Sequence, residues 1–341
     1  MTADLSPPPD PFRSAAEVAL TRFPVTLRAV TLVNRTENVT YRVDDDAGRA
    51  WVLRLHRPGY HTRAELEAER VWLAALARAG VAVPEPLAAT DGSAYVAVDV
   101  PADAGAGVAA HTRQVGVTRW IPGQVLADLI DASRDPAEIA GWYHQLGAML
   151  GRLHRQASAW TPPPGFTRHR FDADGMLGER PFWGRFWESP ALNRSQRQLL
   201  DRARHRLRGE LENRARDPGR FSMIHADLHP GNAVVDGDRI AVIDFDDAGF
   251  GHHLYDLAVA LGRPGADPLP GAVWEAALSG YRTEHPLSDD EAAAIPRFEL
   301  LRSLALIGWK ADRPEVAWPD GMFDRLVAEV LDVCARLLSG P

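Results

Sequence analysis

The stretch Met223-Ile224-His225-Ala226-Asp227-Leu228-His229-Pro230-Gly231-Asn232 constrains this chain more than any other. It continues through Ala233-Val234-Val235, a turn at Asp236-Gly237-Asp238, and Ile240-Ala241-Val242-Ile243-Asp244-Phe245-Asp246-Asp247. Two apolar runs around an Asp-Gly-Asp turn predict a β-hairpin over residues 233–243. A hairpin brings its own ends together. Asn232 precedes the first strand and Asp244 follows the second, so the two are expected to meet, with Asp227 in the loop just before. The segment thus gathers a carboxylate, a carboxamide and a second carboxylate. Hard oxygen donors of this kind suit Mg²⁺ shared with substrate phosphates.

Phosphoryl transfer needs a carboxylate to accept the proton of the attacking hydroxyl, plus an Asn and an Asp to hold Mg²⁺ on the phosphates. In a kinase catalytic loop the Asn follows the Asp by five positions, and the metal-binding Asp comes after a hairpin in an Asp-Phe-Gly sequence. Asp227 and Asn232 have that spacing, and Asp244-Phe245-Asp246 has that place. The ordered set assigns Asp227 as general base and Asn232 and Asp244 as Mg²⁺ ligands. His225 and His229 flank Asp227 in a pattern that would also offer transition-metal ligands. In this loop the reading preferred for them is hydrogen bonding to backbone.

The rest of the chain is consistent with two parts. At about 150 residues per domain, 341 residues allow roughly two domains. Residues 1–14, with Pro7-Pro8-Pro9, read as a disordered arm. Strands are expected at Ala29–Val33, Val39–Val43, Trp51–Leu55, Ala94–Val100 and Arg113–Trp120. One helix is expected between them, started by Thr62 with Glu65 in a capping box and ended by Gly80. Leu66, Leu73, Leu76 and Ala77 form its apolar face. Beyond Pro122-Gly123 the pattern is helical, with further helices expected over 139–153, 195–213, 271–283, 289–310 and 320–338. Arg197, Arg202, Arg204, Arg206 and Arg208 mark a solvated face on the second of these. The fold class is therefore α+β: an antiparallel sheet with one long helix over residues 15–121, then a mainly helical part over 122–341.

Composition removes several function classes. With 38 basic against 46 acidic residues the formal charge is −8, which excludes a global basic footprint for nucleic acid. No apolar stretch is long enough to span a bilayer. Met1–Pro11 reads as neither a signal nor a transit peptide, and Cys334 is the single cysteine. A cytoplasmic location fits best. Lys310 is the only lysine.

His225-Ala226-Asp227-Leu228-His229-Pro230-Gly231-Asn232 with Ile243-Asp244-Phe245-Asp246 closely resembles the aminoglycoside phosphotransferase family, whose members have a two-lobed protein-kinase-like fold and include choline and homoserine kinases. Within it, Asp246-Asp247-Ala248 and Trp318-Pro319 are most similar to stress-response kinase A and its relatives. The resemblance implies an ATP- and Mg²⁺-dependent kinase, with ATP between an N-lobe and a C-lobe. The phosphate acceptor is a hydroxyl on a small metabolite, an aminoglycoside-like molecule or a protein Ser/Thr. Glu37-Asn38-Val39-Thr40-Tyr41 is similar to the nucleotide-covering hairpin, Trp51–Leu55 to the third strand, and Trp120-Ile121-Pro122-Gly123 to the lobe hinge. It implies adenine packing against backbone near Thr118 and Trp120. Family members commonly carry a lysine on the third strand; here that position falls to Arg54, with Glu69 as its partner ahead of Glu65 and Glu67. Residues 33–41 contain no glycine, so Asn34, Thr36 and Asn38 would supply side-chain donors to the nucleotide. Asp256 is expected to brace the catalytic loop. The alternative reading is a pseudokinase, a nucleotide-binding or protein-interaction module. An aromatic group of Trp142, Phe182, Trp183, Phe186 and Trp187 is assigned to core packing before an amine-binding cage.

Overall fold

The computed structural model describes residues 10–102, 107–214 and 219–339. It divides into two compact units, Met1–Pro122 and Gly123–Pro341. The first opens with α1 (Pro11–Leu20), whose N-cap Asp10 accepts from the Phe12 amide. Of the arm expected over 1–14, residues 1–9 lie outside the described residues. The remainder is not an arm: Pro11 suits the first helical turn, and Phe12, Ala15, Ala16 and Ala19 are buried against the sheet.

That sheet comprises β1 (Leu27–Arg35), β2 (Val39–Asp45), β3 (Ala50–Leu55), β4 (Pro86–Leu87), β5 (Val96–Val100) and β6 (His111–Arg119). The order is β1-β2-β3-β6-β4, with β5 also on β6, and every pairing is antiparallel. Side chains alternate across a strand. Val39, Tyr41 and Val43 of β2 and Trp51, Leu53 and Leu55 of β3 therefore join the core with α1. Arg54 falls on the other face, opposite Thr40 and Gly116 in register. Between β3 and β4 runs α2 (Arg63–Arg78), started by the expected Thr62–Glu65 capping box and followed by Gly80 at φ 80°. Its buried face holds Leu66, Trp72, Leu73 and Leu76. Ala77, assigned to that face from its spacing, is exposed.

The second unit contains β7 (Gln124–Val125), α3 (Leu126–Ala132), α4 (Pro136–Ala159), β8 (Arg170–Phe171), α5 (Ala173–Leu177), α6 (Arg194–Arg214), β9 (Phe221–Ile224), β10 (Ala233–Asp236), β11 (Arg239–Val242), β12 (Gly249–His252), α7 (His253–Leu261), α8 (Gly271–Arg282), α9 (Asp289–Ala292), α10 (Ile295–Ala311) and α11 (Met322–Ser339). Two small sheets, β11-β10-β7 and β8-β12-β9, frame the loops between them. Helices α4 and α8 touch backbone to backbone. A Cβ on Gly147 would lie 1.9 Å from the Ala277 oxygen, and one on Gly280 would lie 1.9 Å from the His144 oxygen. The single helix expected over 289–310 is two, because Pro296 sits in the first turn of α10 and cannot continue α9. Arg204 is not on a solvated face. It is 6% exposed, lies over the Trp187 ring and donates to the carbonyls of Leu177 and Gly178.

Candidate active site

The chain leaves β9 at Ile224 and enters the loop that carries Asp227. Ala226 there has φ 66°, in the left-handed region, which costs a residue with a Cβ about 1–2 kcal/mol. The anchor that holds it is Asp256 on α7, fully buried. Its Oδ2 accepts from the His225 amide (2.9 Å) and its Oδ1 from the Ala226 amide (2.6 Å). Burial pushes the Asp256 carboxyl up to about 6, while the facing His225 and the two amides pull it back. His154 of α4 adds a third contact, Nε2 to Oδ2 at 3.1 Å, and its Nδ1 lies 2.8 Å from the Tyr281 hydroxyl of α8. Burial holds the His154 pKa well below the ordinary histidine value. The ring is therefore neutral, its Nε2 proton faces the carboxylate and its Nδ1 accepts from Tyr281. Asp256 thus braces the loop that carries Asp227.

His225 ties this loop to the hairpin's far end. Its Nε2 donates to the Ile243 carbonyl (3.0 Å), and its Nδ1 accepts from the Asp227 amide (3.3 Å). Burial lowers its pKa. His229 Nδ1 accepts from the Gly231 amide (3.0 Å) in the turn Pro230–Asn232. Both rings bond backbone, and His229 Nε2 also lies 3.7 Å from Asp227 Oδ2.

Asn232 donates from Nδ2 to the Asp227 carbonyl (2.9 Å) and to Asp227 Oδ2 (3.2 Å). The hairpin expected over 233–243 forms, with Ala233 opposite Val242 and Asp236, expected in the turn, paired with Arg239. The Asn232 carbonyl accepts from the Ile243 amide at 2.9 Å, so the backbone brings Asn232 beside the residue that precedes Asp244. Asp244 itself has φ 64°. Both non-glycine residues described with positive φ, Ala226 and Asp244, lie in this segment, where strained backbone often accompanies function. The Asp244 loop is held from outside by Arg168, 5% exposed. Its Nη2 donates to the carbonyls of Asp246 (2.6 Å) and Phe245 (3.3 Å), and its Nε to that of Ala248.

Arg302 of α10 enters the same site from a distant part of the chain, and nothing in the sequence marks it. Its Nη2 donates to Asp227 Oδ1, and its guanidinium lies 5.6 Å from the Trp183 ring centroid. The Tyr255 hydroxyl and Asp247 lie nearby. Burial opposes its charge, but Asp227, Tyr255 and Asp247 outweigh this and raise its pKa above the ordinary arginine value. Trp183 stacks on Phe171 and Tyr255, and Phe186 and Trp187 are buried beside it, so these aromatics are core.

In the first unit, Glu65 is consumed by the helix cap and Glu67 pairs with Arg63 on the surface (2.7 Å). Of the three competing glutamates only Glu69 is buried. Arg54 is half-buried on β3. Asn38 accepts through Oδ1 from the Arg57 amide (2.9 Å). Thr118 pairs with Val52 and Pro86, the Trp120 amide donates to the Ala50 carbonyl (3.0 Å), and the Trp120 ring lies under the Arg42 guanidinium. The Trp120 N–H is therefore already in use, which leaves its carbonyl for any base edge. Lys310 ends α10 by donating to the carbonyls of Arg313, Pro314 and Val316 and has no part in the site.

Among the described residues, no three His, Cys, Asp or Glu side chains gather as a metal centre. Mg²⁺ needs no such cage: it is usually held by one or two carboxylates plus substrate phosphates. Asn232 and Asp244 fit that requirement, since the Asn232 amide nitrogen is turned to Asp227 and leaves its oxygen for a hard cation. Among the described residues no helix is long and apolar enough to cross a membrane.

The family model described as the phosphotransferase enzyme family matches residues 29–336. Amicoumacin kinase of Bacillus subtilis is 25% identical over 300 residues, covering 85% of this chain and 82% of the relative. The solved structure of a microcompartment-associated aminopropanol kinase matches with a TM-score of 0.79 and 33% identity, over 96% of this chain and 98% of that one. The amicoumacin kinase hAmiN, solved in complex with AMP-PNP, Ca²⁺ and Ami, matches with a TM-score of 0.75 and 21% identity, over 94% and 93% of the two chains.

Proposed function

We propose that this chain, which belongs to the phosphotransferase enzyme family and is a kinase, moves the γ-phosphoryl group of ATP, with Mg²⁺, to the hydroxyl of a small amino alcohol. The observation that carries the proposal is the pairing of Asp227 with Asn232, and the attachment of Asn232 to the residue before Asp244. Asp227 accepts the acceptor's hydroxyl proton and aims its oxygen at phosphorus. When bound, Mg²⁺ held by Asn232 and Asp244 neutralises charge on the phosphate oxygens. Asp256, His225 and Arg168 keep the two loops in register. Arg54, with Glu69 as its anchor, binds the α- and β-phosphates through charge-assisted hydrogen bonds.

An amine-bearing acceptor follows from the local charge. Asp227 is paired with Arg302 and Asp244 would hold Mg²⁺, so the charge that favours a cation beside the reacting hydroxyl is that of Asp246 and Asp247. The likeness to an aminopropanol kinase over nearly the whole of both chains supports the same class.

ADP release from Mg-ATP, measured across aminopropanol, ethanolamine, homoserine, an aminoglycoside and a generic protein substrate, tests this. Amino alcohols are expected to turn over fastest, and Asp227→Asn to lower kcat by about 10²-fold or more, the typical contribution of a general base. Fastest transfer to homoserine or the aminoglycoside defeats the acceptor class. Unchanged turnover in Asp227→Asn defeats the mechanism.

A further inference from the structure

Asp227 is held by two donors from different parts of the chain. Asn232 Nδ2, from its own loop, reaches Oδ2 at 3.2 Å; Arg302 Nη2, from α10, reaches Oδ1. A carboxylate bonded through one oxygen can still turn about its Cβ–Cγ bond. Bonded through both oxygens to donors on separate elements, it cannot turn without breaking one of them. Each oxygen has two lone-pair directions, so one remains on each for an incoming hydroxyl. Arg302 is itself fixed. Its side chain is 15% exposed and its guanidinium lies over the Trp183 ring. Trp183 is in turn stacked in the core with Phe171 and Tyr255. The support behind Asp227 therefore runs through a planar, always-charged group into a rigid aromatic stack.

A surface ion pair would explain little, but this pair joins the proposed base to the partly buried face of α10. We propose that Arg302 is a positioning residue for phosphoryl transfer, its guanidinium gripping Asp227 Oδ1 so that the carboxylate meets the acceptor hydroxyl in a single orientation. The proposal rests on Asp227 acting as the base. Arg302 acts through Asp227 and not on the phosphates, so its loss lowers kcat with little change in the binding of Mg-ATP. Arg302→Lys keeps the charge but loses the fork, and is expected to restore part of the rate.

The test is a double-mutant cycle on ADP release from Mg-ATP, with aminopropanol and, in parallel, water as acceptor. The variants are Arg302→Met, Arg302→Lys, Asp227→Asn and the Asp227→Asn/Arg302→Met double. Thermal unfolding and binding of a fluorescent ATP analogue confirm that each variant is folded. If Arg302→Met fails to fold, Arg302→Gln takes its place. Arg302→Met is expected to lower kcat by about 10- to 100-fold, the scale of an ångström's misplacement of a reacting group, with KM for Mg-ATP unchanged. In the Asp227→Asn background the same substitution is expected to cost less than about twofold, because coupled residues do not add. A full, additive loss in that background overturns the proposal, as does an unchanged kcat with a raised KM for acceptor. A wild-type rate in Asp227→Asn itself removes the base, and is thereby distinguishable from failure of Arg302 alone.

Discussion

Asp256→Asn separates holding the catalytic loop from holding the fold together. The asparagine retains one carbonyl oxygen for one of the two amides that Asp256 now accepts, His225 (2.9 Å) and Ala226 (2.6 Å), and turns its NH₂ toward the other. One charge-assisted bond is lost, about 1.5–3 kcal/mol, and a buried donor is left facing a donor, about 1–3 kcal/mol more. The substitution also removes a cost. The carboxyl stays raised, from 3.8 to about 6, even with the two amides pulling it down, so keeping it ionised at neutral pH opposes folding. Relief of that cost leaves a net stability loss below the about 2.5–6 kcal/mol of the lost contacts. Activity has no such compensation. Ala226 sits at φ 66° and Asp227 is the next residue, so a loop released from one anchor relaxes and carries the base with it. We expect kcat to fall about 10²-fold, with the protein still folded. Urea unfolding followed by tryptophan fluorescence gives the first quantity, and ADP release with aminopropanol gives the second. Wild-type kcat in a folded Asp256→Asn protein, or a loss of rate that follows only the unfolded fraction, refutes the reasoning.

Arg54→Ala should weaken ATP binding about ten- to a hundredfold, as expected for one charge-assisted bond of about 1.5–3 kcal/mol, and leave adenosine binding alone; equal weakening in competition titrations makes Arg54 a strand residue only. Gly147→Ala should destabilise the second unit by about 1–3 kcal/mol, since its Cβ would meet the Ala277 oxygen at 1.9 Å; an unchanged urea midpoint contradicts the close approach of α4 and α8. Burial depresses the pKa values of His154 and His253 below 6.5, so the unfolded chain takes up protons before the folded one does. Their contribution to stability should therefore be full above pH 6.5 and fall as pH drops below it, against the opposite slope of Asp256, raised to about 6. His253→Gln, which keeps a partner for the Ser222 hydroxyl (2.8 Å), should flatten that fall in thermal melts. An unaltered pH slope counts against a buried neutral His253.

What could be read from the sequence was local. The hairpin, the capping box and the spacing of Asp227, Asn232 and Asp244 are written in consecutive residues, and the structure forms each element where they indicate. The spacing to Pro84 favours Glu69 over Glu65 and Glu67, and Glu69 is the buried one of the three. The break before Pro296 was equally local, but the helical period continues through it and masks it. Arg302 and Arg168 had no such signal. They lie 75 and 77–80 residues from their partners, in a chain where all basic residues but Lys310 are arginine. No spacing tells a buried guanidinium from a solvated one, as Arg204 also demonstrates. Their partners separate them once the fold is known. Arg70, Arg168 and Arg204 each place a planar, multi-donor head on several backbone carbonyls, a task for which the guanidinium is suited and an ammonium less so. Arg302 alone of these four spends its bond on the side chain of the proposed base. A carbonyl stays where the backbone puts it and gains nothing chemical from a cation. A carboxylate in a reaction site has an aim and a charge that the cation controls. The residue type was common to all four positions; the partner is what divides structural arginines from the one whose loss should be felt in turnover.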